Sequence, residues 1–338
     1  MRRHLLSTLL SLLPLVGVAC ETEPSTPPPR TDTRPVVAPD AGPPPGDPAP
    51  APEVTEVGRR YIMMLTATAD LGATLKTLDG LDAITIDPEV LAKGVTFDDE
   101  ATCRLVDYFD TRTLELRKEN ILLSESVEHD RCVHPRPKRI ENTEIATLTH
   151  LIPDEGDCAD DHGVLADVPF NSIRRVHIKD PTWATVTEWA PSAEGARPFQ
   201  ERSVAIRWLG DKRDTDHKLH SSFRKFLERR YKRINFSALK GVCEAPLTTQ
   251  THKVGVVKVG AAEAELSVVI WGKFEGEAIK TVVYELTWHT TRPEGQTCEA
   301  FQPGAEAELA VYKAELAAVS AASRRSGEME DTLFEACR

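Results

Sequence analysis

An α+β domain at the end of a proline-rich tether is what this sequence predicts. Beyond residue 53, strand-like alternation recurs about eight times with two or three helical patterns among the strands. The order lacks the regular β-α-β alternation of a doubly wound sheet. From Glu53 onward the composition is that of an ordinary globular protein, and the stretch carries six cysteines.

The first twenty residues read as an export signal. Arg2 and Arg3 supply a basic start, Leu5 to Val18 form an apolar run, and Gly17-Val18-Ala19 lead to Cys20. The run is shorter than the roughly 20 apolar residues a spanning helix needs. A cysteine at the cleavage position resembles a bacterial lipobox, which implies a diacylglycerol on the Cys20 thiol. The expected organisation is a lipoprotein signal peptide over 1–19, an anchor and disordered linker over 20–53, and a globular domain over 54–338. A protein held to the membrane through a lipid is therefore expected in the bacterial cell envelope. Glu21 is not the aspartate associated with inner-membrane retention, which favours the outer membrane.

The linker follows from chemistry. Thr22 to Pro52 contains twelve prolines, which remove amide donors and fix φ, so an extended polyproline-like tether is expected. Losing Arg2 and Arg3 with the signal moves the net charge from −12 to −14. So acidic a surface argues against nucleic acid as a partner. Cys103, Cys132, Cys158, Cys243, Cys298 and Cys337 are even in number and contain no CxxC. In an oxidising compartment they are candidates for up to three disulfides, with connectivity left open. Cys103 and Cys132 pair if they lie at one end of adjacent strands.

Along the domain, residues 59–68 predict a strand. Asp70 caps a helix over 71–78, with Leu71, Leu75 and Leu78 on one face. Strands over 104–110 and 121–128 flank a helical turn at 113–118, and Asn120 suits a left-handed residue closing that turn. Residues 134–200 read as an irregular insertion. The acidic loop 154–162 could hold a hard cation, but it lacks the EF-hand pattern and reads better as solvated. Strands are expected at 203–209, 253–259, 265–274 and 281–290. An amphipathic helix is expected over 217–236, its basic face read as solvated, and an alanine-rich helix over 305–323 before a short tail. In 281–290, Tyr284, Leu286 and Trp288 share one face, and Val283, Glu285, Thr287 and His289 the other.

Tyr108-Phe109-Asp110-Thr111, with Leu114, Leu116-Arg117-Lys118 and Asn120-Ile121, resembles the CYTH family of triphosphate tunnel enzymes. Residues 64–71, 265–275 and 282–288 are similar in order and character. The resemblance implies an eight-stranded antiparallel tunnel with flanking helices. In that family, inward glutamates hold divalent metal, and inward lysines and arginines grip a triphosphate. Several matched positions depart from this pattern. Arg60, Ile62 and Met64 stand where an ExExK motif is expected, Ser124 and Ser126 where arginines are, and Thr287 where a second late glutamate is. Glu285 survives as a candidate ligand-binding residue, and Arg207 is a second candidate as an inward cation.

Hydroxyl and apolar side chains neither neutralise a polyphosphate nor ligate Mg²⁺ strongly. No catalytic residue, metal ligand or cofactor is therefore assigned. The sequence favours a non-catalytic envelope lipoprotein whose tunnel-like domain binds a small ligand or a protein partner. One alternative is a metal-dependent phosphoanhydride hydrolase acting on triphosphate or polyphosphate with Mg²⁺ or Mn²⁺. The other is a purely structural lipoprotein. Phosphate-loop, HExxH and GxSxG signatures are absent.

Overall fold

The computed structural model describes residues 56–98, 100–132, 139–141, 143–153, 165, 181–192, 195–207, 226–229, 239–276, 278–325 and 329–338. The chain divides into two compact units, Met1–Ala49 and Pro50–Arg338, and the described residues belong to the second. Cys20, the tether, the loop 154–162 with Cys158, and most of the expected helix 217–236 lie outside the described residues; 226–229 of that helix is helical. Among the described residues, no helix is long and apolar enough to cross a membrane.

Among the described residues, eleven strands form one sheet. They are β1 (Glu56–Thr66), β2 (Ile84–Ile86), β3 (Cys103–Asp110), β4 (Ile121–His129), β5 (Ile145–Pro153), β6 (Thr182–Ser192), β7 (Gly195–Arg207), β8 (Lys240–Gly241), β9 (Leu247–Val259), β10 (Ala262–Glu275) and β11 (Ala278–Thr291). The described helices are α1 (Leu71–Asp79), α2 (Pro88–Lys93), α3 (Glu115–Lys118), α4 (Cys298–Phe301), α5 (Gly304–Ala318) and α6 (Met329–Cys337).

The strand order is β2-β9-β10-β11-β1-β6-β7-β5-β4-β3-β8, and β9 also pairs with β3. That last pairing, Arg104 to Val106 against Thr249 to Leu247, closes the sheet on itself. The closed circuit is β9-β10-β11-β1-β6-β7-β5-β4-β3, with β2 and β8 as short additions. The expected eight-stranded antiparallel sheet is thus corrected in two respects: the sheet has more strands and is mixed, because β1 and β6 run parallel. Besides the short β2 and β8, the unexpected strands come from the segment read as irregular. Residues 134–200 hold β5, β6 and the first half of β7, and β6 pairs along its whole length with residues 195–205 of β7 as a hairpin.

Alternation on β1 sorts the core into an outside and an inside. Tyr61, Met63 and Leu65 pack with α1 and α5 through Leu71, Leu75, Leu78, Tyr312 and Leu316. Ile62 and Met64 belong instead to a cluster supplied by every strand of the circuit. Its other members include Val106, Leu122, Leu151, Ala190, Phe199, Leu247, Trp271 and Val283. A cluster to which all strands of a closed circuit contribute is the inside of the tube. Met329, Leu333, Phe334 and Cys337 of α6 complete it, so the C-terminal helix fills part of the tunnel. The expected short tail is therefore a helix with a packing role. A third cluster covers the outer face of β4, β5 and β7 with Phe226 and Leu227.

The Tyr108–Thr111 motif has a local explanation. Buried Asp110 accepts hydrogen bonds from the backbone N–H groups of Thr111, Leu116 and Arg117 (2.6, 3.0 and 3.1 Å). This satisfies donors that a helix start leaves open. Leu114 and Asn120 bracket that turn at φ 56° and 54°, the left-handed conformation expected for Asn120.

Candidate functional site

The lumen rows are fixed by register. Arg60 lies opposite Glu188 of β6 and His289 of β11, Met64 opposite Glu285, and Val186 opposite Glu201 of β7. Glu188, Glu201 and Glu285 are all buried. Arg60 reaches two of them: its Nη1 donates to Glu188 Oε2 at 3.5 Å and to Glu201 Oε2 at 3.4 Å. The indole N–H of Trp271 donates to Glu285 Oε2 at 2.9 Å. Burial pushes the Glu285 carboxyl above the usual carboxylate range; the Trp271 hydrogen bond and the Arg60 charge pull it down, and Glu201 pushes it up again.

Hydroxyl groups occupy much of the remaining lining. Ser124 lies opposite Tyr108, Ser126 opposite Val106, Thr147 opposite Ser124 and Thr149 opposite Leu122. Ser203 faces Thr149, and Ser267 faces Thr287. Arg104 continues the Val106 row, with Nη1 donating to Ser126 Oγ at 3.2 Å and Nη2 to Glu128. Each of these two lumen arginines therefore meets carboxylate partners within the tunnel.

The sequence candidates fall as follows. Glu285 and Thr287 lie on the lumen face, while Leu286 and Trp288 face the outer helices, as alternation requires. Arg207 ends β7 on the row of Ile145 and Ser126 and is exposed, a rim position. Cys103 and Cys132 are disulfide-bonded with Cα atoms 5.6 Å apart, and Cys243 is bonded to Cys337. Cys298 is also disulfide-bonded. Ser124 and Ser126 lie on the lumen rows where the resemblance implies arginines. Glu188 and Glu201 were not singled out in the sequence, because β6 and the first half of β7 fall in the segment read as irregular, while the strand expected at 203–209 covers only the end of β7. The available signal was a lone glutamate within the apolar run Val186-Thr187-Glu188-Trp189-Ala190.

This arrangement offers three buried carboxylates around one guanidinium. Carboxylate oxygens are hard donors suited to divalent cations and ammonium groups. Among the described residues, the close-set group of potential metal-ligating atoms is Asp107 with Cys243 and Cys337, and it includes none of these glutamates. The lumen acids are therefore spread around the arginine and not gathered into a tight cage.

No protein-family model and no curated protein matches the chain. It is similar to a solved candidate adenylyl cyclase from Hippeastrum described as having a dominant triphosphatase activity. Identity is 10% over 83% of this chain and 95% of that one, with a TM-score of 0.34. A candidate adenylate cyclase from Bacillus halodurans gives 12% identity over 83% and 97%, with a TM-score of 0.33. One from Vibrio parahaemolyticus gives 10% over 81% and 97%, with a TM-score of 0.29. At such TM-scores the likeness is loose, and the tunnel rests on this chain's own strand circuit. That closed tunnel is the architecture which the resemblance to the CYTH family implies.

Proposed function

We propose that this chain is an envelope lipoprotein, anchored through Cys20 and carried on the tether 20–53, whose tunnel binds a small positively charged ligand without hydrolysing phosphoanhydrides. One observation carries the reading: Glu188, Glu201 and Glu285 stand buried in the tunnel around Arg60. The arginine offsets one of the three carboxylates, and a divalent cation or a diamine would offset the other two. Burial strengthens such an interaction, because water screens it poorly there.

The same inventory speaks against a triphosphate. Its several negative charges need surrounding cations during phosphoryl transfer. Arg60 and Arg104 already face Glu188, Glu201 and Glu128. At the matched ExExK positions, Ile62 and Met64 pack in the cluster that includes α6. Calorimetric titration of the purified protein with Mn²⁺ tests the proposal. Saturable binding is expected, weakened at least about tenfold (1.4 kcal/mol) by E201Q combined with E285Q. No saturable binding, or binding indifferent to both changes, sinks it.

A metal-dependent hydrolase is the second reading, favoured by the three buried carboxylates in a tunnel. Incubation with tripolyphosphate and Mg²⁺ or Mn²⁺ separates the two. Phosphate release at the level of the protein-free blank is expected. Clear metal-dependent release that E285Q abolishes would replace the first reading with the second.

A further inference from the structure

Outside the tunnel's polar part, one carboxylate sits against a disulfide. A carboxylate oxygen of Asp107 and the sulfurs of Cys243 and Cys337 all lie within 4.8 Å of one another. Asp107 Oδ1 is buried and has no hydrogen-bond partner among the described residues. Gly241, on the neighbouring β8, leaves the carboxylate its room: a Cβ there would stand 3.1 Å from Asp107 Oδ2. The two cysteines differ in exposure, since Cys337 is 0% exposed while Cys243 is half-buried.

We propose that Cys243–Cys337 is a thiol–disulfide exchange site for a dithiol reductant, in which Asp107 hands a proton to the departing sulfur of Cys337. An incoming thiolate has access to Cys243, so its lone pair attacks that sulfur. The S–S bond breaks, its electrons move to Cys337 Sγ, and that sulfur takes the proton from Asp107. A thiolate left at the buried Cys337 is a poor leaving group, and leaving groups of low basicity depart faster. Protonation during departure removes that penalty. The second thiol of the reductant, as thiolate, attacks its own sulfur in the mixed disulfide and releases Cys243 as a thiolate, which is protonated by water. The dithiol is oxidised to a disulfide, the protein disulfide gains two electrons, and Asp107 is reprotonated by solvent.

The surroundings keep a proton within reach. Burial raises Asp107 to about 6, hydrogen bonds from the backbone of Tyr108 and Cys243 oppose the rise, and Glu125, directly across the β3–β4 pair, adds to it. The consequence reaches the tunnel. Cys337 ends α6, whose Met329, Leu333 and Phe334 pack among the inward side chains. This bond therefore ties the helix in the tunnel to the segment between β8 and β9.

The full oxidised chain is treated with dithiothreitol, quenched by alkylation and analysed by peptide mass spectrometry. Cys103–Cys132 serves as the internal control, because both of its cysteines are buried. Cys243–Cys337 is expected to be reduced at least about tenfold faster than the control. D107N lowers that rate at least about tenfold, D107E restores part of it, and neither moves the control. The ratio of the two rates, which cancels the ionisation of the reductant, falls between about pH 5 and about pH 8 in the unmodified chain and is flat in D107N. Equal rates for the two disulfides, an unchanged rate in D107N, or a D107N effect shared by the control overturns the proposal.

Discussion

Arg59 and Arg60 are neighbours in the chain, yet β1 sends them to opposite sides of its sheet and into different electrostatic company. Arg59 points outward to α5, where Nε and Nη2 grip Glu308 at 2.7 and 2.8 Å. The same carboxylate also accepts from the hydroxyls of Tyr61 and Thr290, and the Arg59 guanidinium lies 3.8 Å over the Phe301 ring. Burial works against the ionised form of Glu308, but the hydrogen bond and charge of Arg59 outweigh it and hold the group below its usual range. Arg60 points inward, meets two carboxylates at longer range, and keeps 29% of its side chain exposed. A buried bidentate pair fixes structure, whereas a longer, shared contact can be exchanged for a ligand's charge.

The sharpest way to break this contrast is to remove the outer arginine. R59M leaves Glu308 buried beside two hydroxyls without its counter-charge, and a loss of about 3–5 kcal/mol is expected. Chemical denaturation should show it as a large fall in midpoint, with Mn²⁺ affinity unchanged while the protein is folded. A fall under about 1 kcal/mol would mean that the outer pair is not structural.

A second acid on the outer face gives the next effect. Glu315 is buried and accepts from the indole of Trp288 at 2.8 Å. Burial raises its pKa to about 8 against that hydrogen bond. The folded state thus holds a proton that the unfolded chain, with an ordinary carboxyl pKa of about 4.5, has released. Its contribution to stability is fully present below about pH 4.5 and declines until about pH 8, by roughly 3–5 kcal/mol. Denaturation of E315Q across that range should lose this slope; an unchanged slope counts against a neutral Glu315.

The inner arginine gives a smaller effect of opposite sign. Arg60 competes with a bound cation for Glu188 and Glu201, so R60M should tighten Mn²⁺ binding by about tenfold. E201Q alone should weaken it by a few-fold, on the order of 0.5–1 kcal/mol. Tighter binding in R60M together with weaker binding in E201Q sharpens the division between the two faces. Movement of both in one direction dissolves it.

Regions with strong alternation were legible in the sequence. The outward row Tyr284, Leu286 and Trp288, and the helix over Leu71 to Leu78, needed only a period of two or of 3.6. Asn120 was legible because few residues adopt a left-handed backbone at small cost. β6 and the first half of β7 were not, because Pro191, Pro198, Glu188 and Glu201 interrupt their apolar pattern. α6 went unread although Met329, Leu333, Phe334 and Cys337 recur at helical spacing, since a short C-terminal stretch carries little weight without its partners.

By itself the sequence determined the classes of element, the face each late strand presents, and which charges are missing at positions a phosphate-gripping tunnel would need. Those are local properties, fixed by side-chain chemistry and backbone period. Closure of the sheet through β9 and β3, the entry of α6 into the tube, and the meeting of Arg60 with Glu188 and Glu201 were decided by the tertiary structure alone. Arg60 and Glu188 are 128 residues apart, and cross-strand register, not spacing along the chain, sets what a side chain meets across a sheet.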